Sequence, residues 1–268
     1  MRPGRDGETE DISDTPDNPN ASLMRRLLPE PGPTSIDQEL AGFRPFEDPL
    51  EARPFVAVNM VTSLDGRASL NGRTVELGKE CDIELLLKLR TRFDAVMIGA
   101  GTMRAERYGR IIKDPAARAV REEMGLEPDA LAVIVSGRLD LPFDAPLFTD
   151  GGGRVLIFTN GDGDIPETRT PVELIRIPGI LQITEVLRRL RQEHDVCALL
   201  CEGGPHLFGQ LVAHEALDEL FLTISATLTG ERDAPRILEG ELGSPKHLDL
   251  VNLAEADGEL FARYRRRR

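Results

Sequence analysis

CALLCEGGPHLFGQLV, residues 197–212, runs an apolar strand into a double-glycine turn and directly into a helix. Glycine lets the backbone approach an anion without a Cβ in the way, and the unpaired N–H groups of a helix's first turn supply donors and partial positive charge. Pro205 suits the first helical position, where its missing N–H costs nothing. An ordinary tight strand-to-helix connection is the competing reading. Glu202 favours a binding site, because a carboxylate wedged between a strand end and such a turn is a poor choice for packing alone. It also sits at the carboxyl end of a strand, where α/β sheets hold their ligands.

On either side of this stretch the chain alternates strand and helix signals. Phe55 to Val61 (FVAVNMV) predicts a strand, Cys81 to Arg92 a helix with Ile83, Leu86, Leu87 and Leu89 on one side, and Asp94 to Ile98 a second buried strand. Leu131 to Ser136, Val155 to Thr159 and Val172 to Ile177 are short β-branched runs bounded by Gly, Pro or Asp. Ile183 to Arg191 carries a helical stripe of Ile183, Val186, Leu187 and Leu190. Glu219 to Thr227 predicts a strand near the sheet edge, and Leu248 to Asn252 with Glu259 to Tyr264 a hairpin around Asp257-Gly258. The order implies an α/β fold: a mostly parallel central sheet flanked by helices, with an antiparallel C-terminal edge. Residues 1–20 are polar and acidic and predict a disordered tail. Residues 21–52 predict an arm, with a short helix or two or lying over the domain or a partner, and 53–268 a single domain.

The formal net charge of -13 argues against a general nucleic-acid or anionic-membrane binder, which needs a basic footprint, while leaving room for a local basic pocket. Arg263 to Arg268 is basic and predicts a solvated end. Cys81, Cys197 and Cys201 lack the close pairing of a zinc motif and predict buried thiols of a reducing, cytoplasmic protein. There is no run of 18 apolar residues and no signal-peptide core, so neither secretion nor membrane insertion is expected. No metal site is expected, since His194, His206, His214 and His247 show no ligand spacing. His206, in the first turn after the glycines, is the one placed to face a cofactor.

Two further strand ends carry polar, glycine-rich turns. The first strand runs into Thr62-Ser63-Leu64-Asp65-Gly66-Arg67, which is a polar turn or a presented hydroxyl pair and carboxylate. The second ends in Gly99-Ala100-Gly101-Thr102, able to bring backbone N–H groups and a hydroxyl to a phosphate or an amide. Neighbouring parallel strands would converge all three turns on one crevice. The G-x-G-x-x-G dinucleotide, G-x-x-x-x-G-K-[ST], H-E-x-x-H and G-x-S-x-G signatures are all absent.

The motifs VNMVTSLDGR, LLKLRTRFDAVMIGAGTMRAERYG, LLCEGGPHLFGQLV and LDELFLTISATLTG, in that order over about Phe55 to Tyr264, resemble the reductase domain of the bifunctional riboflavin-biosynthesis deaminase/reductase, a relative of dihydrofolate reductase in fold. More closely, it looks like the stand-alone actinobacterial members with an N-terminal extension in place of the deaminase; no H-x-E with a P-C-x-x-C partner occurs, so zinc-dependent deamination is not expected. The resemblance implies NADPH-dependent reduction of the ribosyl group of 5-amino-6-(5-phosphoribosylamino)uracil to the ribitylamino product, in a homodimer. By position it implies cofactor contacts at Val61, Gly99, Thr102, Glu106 and Ser136, with Gly203, Gly204, His206, Leu207, Phe208 and Gly209 around the diphosphate. Ser136 and Arg138 stand where a 2′-phosphate would be read, or form an exposed turn. Thr74, Arg90, Arg110, Lys113 and Glu202 match substrate positions, Arg110 and Lys113 as counter-charges to the substrate phosphate. Where the family commonly has an aromatic residue this chain has Glu76. Asp65 is the preferred proton-relay or substrate-orienting carboxylate and Glu202 the group on the pyrimidine edge, roles that could be exchanged.

Two other functions fit the same residues. A dihydrofolate reductase-like pterin reductase would use the same fold and a carboxylate facing a similar ring edge. A non-catalytic nucleotide-binding or interaction protein would bind NADPH without turnover. An apolar edge strand at Glu219 to Thr227 would call for covering by a second subunit.

Overall fold

A computed structural model describes residues 23–47, 49–74 and 76–267; the tail expected over residues 1–20 lies outside them. Eleven strands form one sheet. In chain order the elements are β1 (Met24–Leu28), β2 (Gly32–Thr34), α1 (Ile36–Glu39), β3 (Phe55–Thr62), α2 (Glu80–Arg90), β4 (Ala95–Gly99), α3 (Ala100–Glu106), α4 (Pro115–Glu123), β5 (Leu131–Val135), α5 (Pro146–Thr149), β6 (Val155–Thr159), β7 (Val172–Arg176), α6 (Ile183–His194), β8 (Ala198–Cys201), α7 (Pro205–Ala213), β9 (Glu219–Ile224), β10 (Leu248–Ala256) and β11 (Glu259–Arg266). The spatial order is β2-β1-β10-β11-β9-β3-β8-β4-β5-β6-β7. From β9 to β7 every pair is parallel, and from β9 outward through β11, β10, β1 and β2 every pair is antiparallel.

Period-2 alternation divides the strands between two cores. Val56, Val58, Met60, Ala95, Met97, Leu199 and Cys201 face α6 and α7, which contribute Ile183, Val186, Leu187, Leu190, Leu207, Phe208, Leu211 and Val212. Ala57, Val96, Ile98, Ala198 and Leu200 face the other way, onto Cys81, Leu85 and Leu89 of α2, Met103 of α3 and Phe148 of α5. The two-residue turn between β10 and β11 has φ of 52° at Asp257 and 81° at Gly258, the pattern that Asp-Gly favours in a tight hairpin. No helix among the described residues is long and apolar enough to cross a membrane.

Three expectations need correction. Among its described residues the arm over 21–52 contains two strands, β1 pairing with β10, and one turn of helix; Met24, Ile36, Leu40 and Phe43 join the α2-side core. On α2 the buried set is Cys81, Asp82, Leu85 and Leu89, a stripe at helical spacing, whereas Ile83 and Leu87 are exposed. β9 is interior, hydrogen-bonded to β3 on one side and β11 on the other, so the argument that a bare β9 requires a second subunit has no basis. Cys81 and Cys201 are buried thiols, each pushed up to about 12 by burial, and Cys197 is only partly covered.

Candidate active site

Three adjacent parallel strands stop at different heights. β8 pairs with β3 as far as Val58 opposite Cys201, and with β4 as far as Met97 opposite Cys201, while β3 runs on to Thr62 and β4 to Gly99. A gap opens beyond Cys201, and the chain leaving β8 turns inside it. The Glu202 N–H donates to the Met97 carbonyl at 3.0 Å, and the Gly99 N–H donates to the Gly203 carbonyl at 2.7 Å. This gap is part of a cavity of about 660 Å³ along the carboxyl ends of the parallel strands.

The wall on the α7 side is backbone-rich. Gly204 is the N-cap of α7 and has no side chain to satisfy the first N–H groups; Gly204, Pro205, His206 and Leu207 line the cavity. Gly203 has a φ of 95°, in the region that favours glycine, and its peptide bond to Gly204 is cis. A Cβ on Gly204 would lie 2.9 Å from the Thr102 hydroxyl, and one on Gly99 would lie 3.1 Å from the Gly204 nitrogen. The β4 and β8 turns are therefore packed backbone to backbone, with a helix N-terminus open between them, a construction that fits the diphosphate of a dinucleotide. Val135, Gly137 and Leu181 continue this wall.

The wall on the α2 side is made of polar side chains. Glu202 follows β8 in the alternation that turns Ala198 and Leu200 toward α2, and there it meets Arg90. Arg90 Nε donates to Glu202 Oε1 at 2.6 Å and Nη2 to Oε2 at 2.7 Å, with the two side chains 11% and 3% exposed. Burial works against the Arg90 charge, but the Glu202 carboxylate more than offsets this and raises its pKa. The guanidinium also lies 5.5 Å from the centre of the Tyr108 ring. Burial, and then the Glu202 carboxylate, push the Tyr108 phenol well above its ordinary value. Behind them the buried Arg121 of α4 donates to the carbonyls of Arg90 and Phe93, fixing the end of α2. Glu106, at the end of α3, accepts the Thr74 N–H at 2.7 Å, and both residues line the cavity.

Of the residues singled out by sequence, the cavity brings together Val61, Thr74, Gly99, Thr102, Glu106, Glu202, Gly204, His206 and Leu207. Others lie elsewhere, for identifiable reasons. Asp65 is outside: its carboxylate accepts from the Ser63 hydroxyl at 2.7 Å and from the N–H groups of Thr229 and Gly230 at 3.1 and 3.0 Å. These bonds hold it well below the usual carboxylate range and tie the turn after β3 to residues 229–230. Arg110 is bound through both Nε and Nη2 to the carboxylate of Asp129, and neither it nor the exposed Lys113 lines the cavity. Arg90 sits behind Glu202 rather than at the cavity surface. Ser136 is buried with its N–H donated to the Phe158 carbonyl, between Val135 and Gly137, which do line the cavity. Gly203 lies beneath the turn, Phe208 packs into the α7-side core, and a Cβ on Gly209 would come within 1.8 Å of the Glu239 carbonyl oxygen. Gly209 thus serves helix-to-loop packing.

Sequence reasoning missed Asn59, Ser69, Asp82 and Tyr108 on the α2-side wall. The available signal was Asp82 itself, a carboxylate in the same helical stripe as Leu85 and Leu89.

Known proteins resemble this chain in sequence and in fold. A 2,5-diamino-6-ribosylamino-4(3H)-pyrimidinone 5′-phosphate reductase from Archaeoglobus fulgidus is 28% identical over 194 residues, covering 70% of this chain and 88% of that protein. The riboflavin biosynthesis protein RibD of Bacillus amyloliquefaciens is 26% identical over 194 residues, and the match spans only 50% of that longer protein. Among solved structures, a pyrimidine reductase-like protein from Corynebacterium diphtheriae superposes with a TM-score of 0.67 at 22% identity, over 80% of this chain and 92% of that one. The riboflavin biosynthesis reductase of Saccharomyces cerevisiae does so with a TM-score of 0.64 at 17% identity, over 87% and 99%. These two share the dihydrofolate reductase-like fold. The model of the RibD C-terminal domain matches residues 54–261, a span that includes β3 to β10 and every residue lining the cavity. On that match the chain belongs to the RibD C-terminal domain family.

Proposed function

We propose that this chain is an NADPH-dependent reductase of riboflavin biosynthesis, which reduces the ribosyl group of a phosphoribosylamino-pyrimidine to the ribityl chain. The observation that carries the reading is the pairing, in one cavity, of a side-chain-free helix N-terminus on one sheet face with a wall of polar side chains on the other. The first wall suits a dinucleotide and the second a polar heterocycle, which sets donor and acceptor side by side. The names of the relatives support the same chemistry.

In this reading the first turn of α7 holds the diphosphate, with Gly204 and the Thr102 hydroxyl beside it. Arg138 is exposed, makes no hydrogen bond or ion pair among the described residues, and follows the cavity-lining Gly137, so it is placed to meet a 2′-phosphate; this supports NADPH over NADH. Glu202, oriented by Arg90, faces the substrate, and the bonded Thr74 and Glu106 line the cavity with it. The nicotinamide supplies the hydride, and the residues of the chain align the acceptor carbon and exclude water.

The test is NADPH oxidation by the full chain, with 5-amino-6-(5-phosphoribosylamino)uracil, its 2-amino-4-oxo counterpart and dihydrofolate assayed in parallel. Turnover of either ribosylamino-pyrimidine with kcat/KM well above that for dihydrofolate is expected. A preference for dihydrofolate would reassign the chain as a pterin reductase, and cofactor binding without any turnover would make it a nucleotide-binding protein.

A further inference from the structure

Four carboxylates line the cavity among the described residues, and three of them are accounted for: Asp82 and Glu202 are buried, and Glu106 accepts the Thr74 N–H. The fourth, Glu239, is exposed, and its side chain makes no hydrogen bond or ion pair among the described residues. It belongs to the connection between β9 and β10, and its backbone is held in place. The Glu239 N–H donates to the Pro205 carbonyl at 3.1 Å, and its own carbonyl lies so close to Gly209 that a Cβ there would come within 1.8 Å of the oxygen. Ile237, Leu238 and Leu242, on either side, pack against the α7-side core, and Gly240, with a φ of 111°, turns the chain away.

The Glu239 carboxylate therefore stands beside the first turn of α7, next to the N–H groups assigned above to a diphosphate, and bonds to none of them. Two anions placed side by side repel unless donors lie between them. Ribose hydroxyls are such donors: an ionised carboxylate only accepts, and each ribose of a dinucleotide is joined directly to the diphosphate. The order of the sheet selects which ribose. Arg138, the residue placed for the 2′-phosphate at the adenosine end, follows β5 on one side of β8, whereas the connection carrying Glu239 leaves β9 on the other. Hydroxyls on that side belong to the nicotinamide ribose.

We infer that Glu239 is a cofactor-binding residue whose carboxylate accepts from the nicotinamide-ribose hydroxyls, and that Gly209 is glycine so that the Glu239 backbone can reach this place. The inference rests on the proposed reductase function. It gives the connection after β9 a part in holding the cofactor, on the wall opposite Glu202. Glu239 acts here by binding alone, and neither hydride nor proton passes through it.

The experiment titrates the full chain, as wild type, Glu239→Gln and Glu239→Ala, with NADPH by fluorescence and with adenosine 2′,5′-bisphosphate by calorimetry. Loss of a charge-assisted hydrogen bond predicts that Glu239→Ala binds NADPH about tenfold or more weakly, with Glu239→Gln in between. The side chain is exposed, so both variants should melt as wild type does. Adenosine 2′,5′-bisphosphate lacks the nicotinamide ribose and should bind all three proteins alike. A carboxylate that only stands near the diphosphate gives the opposite sign, with NADPH binding tighter once the charge is gone. Tighter or unaltered NADPH binding by Glu239→Ala, or an equal loss for the bisphosphate, overturns the inference while leaving the reductase assignment intact. Failure of wild type to bind NADPH at all would instead remove the reductase assignment.

Discussion

Replacing Arg90 by Met removes one half of the buried ion pair that floors the cavity while keeping most of the side chain's volume. With the side chains only 11% and 3% exposed, water cannot take the place of the guanidinium, and Glu202 would lose donors to both of its oxygens. Breaking such a pair costs about 3–5 kcal/mol, because an uncompensated charge is left behind. For a chain of this size that is a fall in Tm of roughly 6–20 °C. Glu202→Gln leaves the cation buried and should be destabilising by a similar mechanism. Arg90→Met combined with Glu202→Leu removes both charges, and the doubly substituted chain should return to within about 1 kcal/mol of wild type.

Urea unfolding of the four proteins gives the double-mutant cycle, and NADPH oxidation gives a second readout. The combined variant should fold with near-native stability and fail to turn over substrate, since Glu202 faces the cavity. The argument is refuted if Arg90→Met costs less than about 1 kcal/mol, or if the two losses simply add. Either result would mean that the pair is open to water.

Two other expectations follow from single side chains. Gly204→Val puts atoms where a Cβ already approaches the Thr102 hydroxyl to 2.9 Å and fills the start of α7; NADPH affinity, followed by fluorescence titration, should drop by about tenfold or more. Asp65→Asn and Asp82→Asn should shift stability with opposite pH signatures in thermal melts. Asp65 is depressed by its hydrogen bonds, so its stabilisation is present above the ordinary value of 3.8 and is lost as pH falls through the lower folded value; the Tm deficit of Asp65→Asn should therefore close in acid. Asp82 is raised by burial, partly offset by the Thr223 hydroxyl. Wild type is then most stable relative to Asp82→Asn below 3.8, and loses ground as pH rises toward the elevated folded value. Equal offsets at all pH values would contradict both.

The features that were legible in the sequence are local in the chain. The CEGGPH turn, the Gly99–Thr102 turn and the Asp257-Gly258 hairpin are each specified within a few residues, because glycine, proline and aspartate act on their own backbone. What was misjudged depends on partners far away. β9 is interior because β11 covers one side and β3, some 160 residues earlier, covers the other; β1 and β2 are strands because β10 receives them from the far end of the chain. Arg110 looked like a free cation for phosphate, but Asp129 meets it across a loop whose shape no spacing rule encodes. The α2 stripe was misplaced because the counting favoured apolar residues. Cys81, Asp82, Leu85 and Leu89 are the buried set, and admitting a carboxylate to the stripe selects the correct face. Burying a carboxylate there carries a desolvation cost that leucine would not, and the Thr223 hydroxyl beside it offsets only part of that cost.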